Sequence, residues 1–357
     1  MGSRTIDPKL KALYDAGDEV YSISRLNTIH QCPYQAYLNY VKHVPQRSNV
    51  WALLGSKIHD ALQACVDTGC STEIIHKAIL EELDDLEIEG VDFPLDRNGG
   101  TSIRDNWITN MMNFAQNFQT PSGKFETEQL ILYPVKPHVW MQGYIDLIRY
   151  NKDGSLYIID WKTSSNFTKQ HLIEAGRQLL LYSMAKEAEG YNVKRVSWVM
   201  LKYCETSWTL KNGKTKTKVS EWRNLVKDLK TPIASIMKDL GYDEIDTEYY
   251  LLQAMDANSM EALPEDVRDR FHVRIYVRDY DPTDELKDEC MAYINDTIHM
   301  YQSLDPDNES EWLPCNINDN AFFCSSLCGY GGKSEKCKYW MDYCKQYMAE
   351  DDEEDMF

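Results

Sequence analysis

An α/β fold, one domain carrying helical insertions, is the architecture this sequence predicts. Gly143-Tyr144-Ile145-Asp146-Leu147-Ile148 and Tyr157-Ile158-Ile159-Asp160-Trp161-Lys162-Thr163 are rich in apolar and β-branched residues, as strands are, and Asn151, Asp153 and Gly154 between them mark a turn. Helical spacing of apolar residues flanks this pair, before it at 51–62 and after it at about 169–189. With 357 residues, 43% of them hydrophobic and 27% charged, the chain has the composition of an ordinary soluble globular protein and the length to bury a large core.

Strand alternation puts Asp160 and Lys162 on one face, and pairing of the two strands as a hairpin brings Asp146 close to both. Two carboxylates and an ammonium at strand ends suit a divalent cation such as Mg²⁺ or Mn²⁺. The carboxylates bind it through oxygen, and the lysine orients an attacking water or steadies developing charge in phosphodiester hydrolysis. A solvated hairpin whose charges face water is the alternative for Asp-x-Lys taken alone.

Residues 1–20 read as a polar N-terminal extension with a short helix around Pro8 to Tyr14. A helix capped by Ser24 follows, and Cys32-Pro33 sits where it is interrupted or where a second helix begins with proline in its first turn. In the helix at 51–62, Gly55 permits close approach and His59 lies one turn on. Residues 66–120 read as a helical insertion with a loop at Asp96-Arg97-Asn98-Gly99-Gly100, and Phe125 to Val135 as a strand that turns Glu128 toward the site. On the helix at 169–189, Gln178 and Tyr182 are four apart and share a face. Val193 to Tyr203 is a further strand leading to the Asn212-Gly213 turn; helices are expected at about 220–240, 247–257 and 284–304, and a strand at 271–280.

The net charge of −19 argues against a generic nucleic-acid coat, so any phosphate contact must come from a local patch. Lys202, Lys211, Lys214, Lys216 and Lys218 form the clearest one, read either as a solvated hairpin or as a phosphate-contacting surface. The acidic tail, 346–357, reads as disordered and solubilising; its alternative is a partner-recruiting tail ending in Met356-Phe357. No run of eighteen apolar residues occurs, and the first residues lack the layout of a secretory signal, so an intracellular protein is the expectation.

Of the ten cysteines, Cys315, Cys324, Cys328, Cys337 and Cys344 fall in the last fifth of the chain, and an intracellular setting disfavours structural disulfides. Cys324-x3-Cys328-x8-Cys337, with Gly329, Gly331 and Gly332, can wrap Zn²⁺ or a [4Fe-4S] cluster. Spacing alone favours Cys315 or Cys344 as the fourth ligand of a local zinc knuckle.

The order Cys32-Pro33, Gly55-x3-His59, Gly143-x2-Asp146, Asp160-x-Lys162, Gln178-x3-Tyr182 and a terminal cysteine triplet resembles a RecB-type nuclease of the PD-(D/E)XK superfamily. Within that superfamily it is similar to the iron-sulfur branch, which includes the AddB nuclease domain, exonucleases of CRISPR adaptation and related phage proteins. The resemblance implies a restriction-endonuclease-like core, a central mixed sheet flanked by helices, in a single domain over 21–345. Its parts are a catalytic core at 125–203, a helical region at 220–304 and a cysteine segment at 315–345. It implies that His59, Asp146, Asp160 and the Trp161 carbonyl hold Mg²⁺ or Mn²⁺, that Lys162 serves the attacking water, and that Gln178 and Tyr182 orient the site. By the same likeness Cys32, Cys324, Cys328 and Cys337 hold a [4Fe-4S] cluster, although the family's last cysteines are usually spaced more tightly. The implied activity is DNA exonuclease action on single-stranded or frayed ends in recombination, repair or phage DNA metabolism. It would take place in the cytoplasm of a bacterial or phage-infected cell. A structure-specific endonuclease or a non-cleaving DNA-end-binding adaptor is the alternative. The chain has no Gly-x4-Gly-Lys-Ser/Thr loop, so a helicase, recombinase or single-strand-binding protein would be a separate partner.

Overall fold

A computed structural model describes residues 6–69, 72–96 and 98–354, with backbone alone at 169–170 and 347–354. The chain opens with α1 (Pro8–Asp15), β1 (Glu19–Ser22), α2 (Ile23–Gln31) and the short α3 (Pro33–Ala36), then α4 (Val50–Thr68), α5 (Glu73–Glu89) and α6 (Ser102–Asn117). The central elements are β2 (Lys124–Lys136), β3 (Val139–Tyr150), β4 (Leu156–Lys162), α7 (Lys169–Ala188), β5 (Val193–Thr209) and β6 (Thr215–Glu221). After them come α8 (Leu225–Leu240), α9 (Glu244–Ala257), α10 (Glu265–Arg268), β7 (Phe271–Tyr280), α11 (Asp284–Ser303) and α12 (Lys338–Glu354).

Among the described residues the seven strands form one mixed sheet. β3 runs parallel to β1 and antiparallel to β2 and β4; β5 runs parallel to β4 and antiparallel to β6 and β7. The parallel β4–β5 pair requires a crossover, and α7 supplies it. One face of the sheet packs Leu26 and Ile29 of α2, Leu179 to Tyr182 of α7 and Ile294 of α11. The other packs Leu54 and Ile58 of α4, Ile79 of α5, Phe114 of α6 and Leu229 of α8. Trp198 of β5, fully enclosed on the first face, is worth about 2–3 kcal/mol of burial.

The expected α/β architecture with a mixed sheet flanked by helices is thus the observed one. Boundaries differ where strand pairing takes over. The helix expected from 220 starts at Leu225, because the Asn212-Gly213 turn returns a full strand, β6, through Glu221. β1 is a strand where the sequence suggests only a loose extension; four residues are too few to show alternation. Cys32 ends α2 and caps α3, whose first residue is Pro33. Cys65, buried in α4, is disulfide-bonded, against the expectation for an intracellular chain. α12 carries helix into the acidic stretch as far as Glu354; the rest of the expected disordered tail, with Met356-Phe357, lies outside the described residues, as does Arg97 of the expected loop. No helix among the described residues is long and apolar enough to cross a membrane.

Gly176 shows how tightly α7 is seated: a Cβ there would collide with the ring of Tyr280 at the end of β7. Gly→Ala inside a helix normally gains about 1 kcal/mol from propensity. Here overpacking of about 1–3 kcal/mol decides the sign. Gly176→Ala is therefore expected to lower the melting temperature, and adding Tyr280→Leu to return part of the loss, both read by thermal denaturation.

Candidate active site

β3 has three strand partners but only two edges. β2 covers one edge along its length, so β1 and β4 share the other, β1 at Val139–Gln142 and β4 at Leu147–Tyr150. Gly143 to Asp146 therefore has no strand beside it on that edge. Buried backbone groups left this way must find other partners. The Tyr182 hydroxyl donates to the Tyr144 carbonyl at 2.6 Å, and the Trp161 N–H donates to Asp146 Oδ2 at 2.7 Å. Gly143 is required here, since a Cβ would lie 2.6 Å from Tyr182 Cε1.

Alternation also breaks at this point. Phe125 and Ile131 of β2 are both odd-numbered yet pack on opposite faces, and Ile145 and Leu147 of β3 divide in the same way. Both strands switch faces between these residues, around Glu128 and Asp146, which lie opposite each other between the pairs Thr127–Leu147 and Gln129–Ile145. Glu128 adopts a left-handed φ of 48°, a conformation that costs a non-glycine residue about 1–2 kcal/mol. The distortion brings its carboxylate to the site: ligand atoms of His59, Glu128 and Asp146 lie within 4.8 Å of one another.

His59 reaches the same place from α4, with Nδ1 3.5 Å from Asp146 Oδ1 and its ring edge-on to Trp161. Gly55 is not needed for this approach, because a Cβ there would make only an ordinary contact with Thr163 Oγ1 at 3.7 Å. Asp160, 1% exposed, pairs with Lys162, whose Nζ lies 2.7 Å from Asp160 Oδ2. Lys162 is thus the one cation in contact with this buried carboxylate among the described residues. Lys162 Nζ donates to Gln178 Oε1 at 3.1 Å, and Gln178 Nε2 donates to the Tyr182 hydroxyl at 2.6 Å. One chain of contacts thus runs from Asp160 through Lys162, Gln178 and Tyr182 to the backbone of β3.

Burial pushes the Asp160 carboxyl up to about 6; Lys162 pulls it back and Asp146 adds to the rise. Burial works against the charge on Lys162, but Asp160 beside it outweighs burial and raises its pKa. For His59 burial favours the neutral ring, and the contact with Asp146 prevails and raises its pKa. The donor set, two carboxylates and an imidazole with the Asp160–Lys162 pair beside them, fits a divalent cation of the Mg²⁺ or Mn²⁺ kind. Glu128, which the sequence turns toward the site without marking it as a ligand, joins the group; its left-handed backbone conformation has no signature in residue type.

The second cluster forms where Cys32 meets the C-terminal segment. Cys32, Cys315, Cys324, Cys328 and Cys337 line one small cavity, and Cys344 is not among its lining residues. The Cys315 N–H lies 3.4 Å from Cys32 Sγ, and Cys315 Sγ lies 3.7 Å from Cys324 Sγ. The Cys32 thiol is pushed up by Cys315 and by burial, and burial raises Cys328 and Cys337. Among the described residues no three of these thiols have sulfurs within 4.8 Å of one another.

The lysines expected to form one patch divide. Lys202 is half-buried, reaches Ser165 Oγ at 3.3 Å and has its pKa lowered by burial. Lys218 Nζ donates to the Asp228 carbonyl at 2.7 Å and Lys211 lies 4.0 Å from Asp239, so α8 engages both. Lys214 and Lys216 are exposed on the hairpin.

The model of the PD-(D/E)XK nuclease superfamily matches residues 20–290 of this chain. That span starts within β1, ends in α11 and contains every residue of the strand-end centre; the cysteine segment lies beyond it. No curated protein matches the chain.

Two outcomes follow from this geometry. Because the folded-state pKa of Asp160 and of His59 are raised, a cation binding there displaces protons at low pH. Mn²⁺ affinity of the nucleic-acid-free protein is expected to climb with pH through about 6, with proton release by calorimetry that fades above neutrality. Glu128→Gly removes one donor and relieves the left-handed strain. It is expected to weaken Mn²⁺ binding about tenfold or more without lowering the metal-free melting temperature.

Proposed function

The chain belongs to the PD-(D/E)XK nuclease superfamily, and from that premise we propose a metal-dependent DNA exonuclease that acts on single-stranded or frayed ends. The observation that carries the reading is the meeting of His59, Glu128, Asp146, Asp160 and Lys162 where β3 and β4 splay apart. A scaffold that only bound DNA ends would have no use for this arrangement, since holding Asp160 and Lys162 out of water is costly unless they are used together.

His59, Asp146 and Asp160, with Glu128 and the Trp161 carbonyl, would hold Mg²⁺ or Mn²⁺. When bound, such an ion supplies Lewis-acid polarisation of the phosphate and lowers the pKa of a bound water. Lys162 is fixed between Asp160 and Gln178, so its ammonium steadies charge on the phosphate and orients the water. Gln178 and Tyr182 act as positioning residues, tying that ammonium to the β3 backbone.

In the same reading Cys32, Cys324, Cys328 and Cys337 hold a [4Fe-4S] cluster, with Cys315 the competing fourth thiolate and Zn²⁺ the alternative occupant. A closed zinc site with Zn–S of about 2.3 Å gathers its sulfurs within about 4 Å of one another. Cys315 and Cys324, 3.7 Å apart, meet that distance, so metal content decides between the two occupants. Exposed Lys214 and Lys216 are the members of the hairpin patch placed to meet DNA phosphate, and a helicase, recombinase or single-strand-binding protein would bring the ends.

Digestion of end-labelled DNA by anaerobically purified protein tests the proposal. Mg²⁺- or Mn²⁺-dependent shortening of linear single strands, circular DNA left intact, and at least about 10³-fold loss in Asp160→Ala and Lys162→Ala are expected. Cleavage of circles points instead to the structure-specific endonuclease, and activity retained by both variants sinks the assigned centre. A brown preparation containing iron supports the cluster; colourless protein containing zinc overturns it.

A further inference from the structure

The loop between α5 and α6 faces the cysteine segment across a cavity of about 510 Å³ that the nuclease centre does not use. Arg47, Arg104 and Lys333 line it with the hydroxyls of Thr101, Ser325 and Ser326. Among the described residues its one lining carboxylate, Asp92, is engaged by Lys333 at 3.2 Å, and Arg104 lies 3.6 Å from Asp105 just outside the lining, so the lining itself carries three cations against one carboxylate in a chain of net charge −19. Phe93 supplies an apolar wall, its ring braced edge-on against Trp51.

These groups sit on fixed backbone. The Arg47 N–H donates to the Gly329 carbonyl at 2.9 Å. Ser325 and Ser326 lie between Cys324 and Cys328, and a Cβ on Gly331 or Gly332 would strike the Cys324 or Ser325 carbonyl, so the glycines lock that turn in place. Guanidinium groups and hydroxyls are donors for phosphate, and an aromatic wall suits a base. We propose that this cavity binds the sugar-phosphate backbone of a single nucleic-acid strand, as a subsite remote from the scissile bond. The inference rests on the nuclease reading. His59 lies nine residues beyond Val50, the first residue of α4, or about 14 Å along the helix at about 1.5 Å per residue.

The test compares wild type with Arg47→Gln/Arg104→Gln and with Arg47→Lys/Arg104→Lys. Affinity for a fluorescent twenty-residue oligothymidylate is measured in EDTA across a salt series, and cleavage of a trinucleotide with Mn²⁺ is measured in parallel. The glutamine pair is expected to lose about tenfold or more in affinity for the long strand and to lower the salt slope by about 1.4, two single-strand phosphate contacts. The lysine pair should keep most of that slope, and trinucleotide cleavage should be unchanged in both. Long-strand affinity and slope equal to wild type in the glutamine pair overturn the subsite, as does a wild type that does not bind the long strand. Failure of the nuclease reading shows separately, as absence of trinucleotide cleavage by wild type, and the binding comparison still decides the subsite.

Discussion

The structure turns on a strand edge left unpaired. β1 and β4 occupy two ends of one edge of β3 and leave Gly143 to Asp146 between them without a ladder. Interior polar backbone without a partner costs about 1–3 kcal/mol per group. Asp146 and Tyr182 meet that demand, one accepting the Trp161 N–H and the other donating to the Tyr144 carbonyl. The side chains that complete the sheet are the ones that build the site. Their positions are therefore set by folding, before any ligand arrives, which is what preorganisation of a charged centre requires.

The same economy governs the charges. Asp160 is almost fully enclosed, and an isolated carboxylate there would be neutral at physiological pH. Lys162 offsets part of that penalty and is itself held charged by Asp160, so each residue keeps the other ionised. Gln178 bonds Lys162 through its oxygen and Tyr182 through its nitrogen, which fixes the amide orientation and prevents the ammonium from swinging out to solvent. Asp160 and Lys162 share a face through strand alternation, whereas Asp146 reaches the site by the failure of alternation in its own strand.

That difference explains what could be read in advance. Asp160-x-Lys162 and Gln178-x3-Tyr182 were legible because period-two and period-four geometry places each pair without knowledge of the rest of the fold. The central strands, α7 and the Cys32-Pro33 break between α2 and α3 were legible for the same local reason. Glu128 was legible as facing the site but not as a ligand, because that contribution depends on a left-handed residue in mid-strand, which only the pairing of β2 with β3 reveals. β1 was missed because a short parallel edge strand is defined by its partner, 120 residues away in register at Glu19–Val139, and not by its own pattern. Spacing alone favoured Cys315 or Cys344 over the distant Cys32, and the fold places Cys32 and Cys315 in one cavity.

The cysteine segment bears on the nuclease centre through α4. Asn49 caps that helix by accepting from the Trp51 N–H, and its own amide donates to the Leu327 carbonyl at 3.0 Å. Arg47, two residues earlier, is bonded to Gly329. The N-terminus of α4 is thus moored to the turn that carries Cys324 and Cys328, while His59 projects from the middle of the same rigid helix. The small core around the thiols, with Tyr34, Tyr37, Trp312 and Tyr330, gives this mooring little apolar area of its own. The rest of α4 is seated by the larger core through Leu54, Ile58, Ala61 and Leu62, so the two bonds tie the cysteine segment to a helix that folding has already placed. A segment outside the matched superfamily span is thus bonded to the start of the helix that carries His59 inside it.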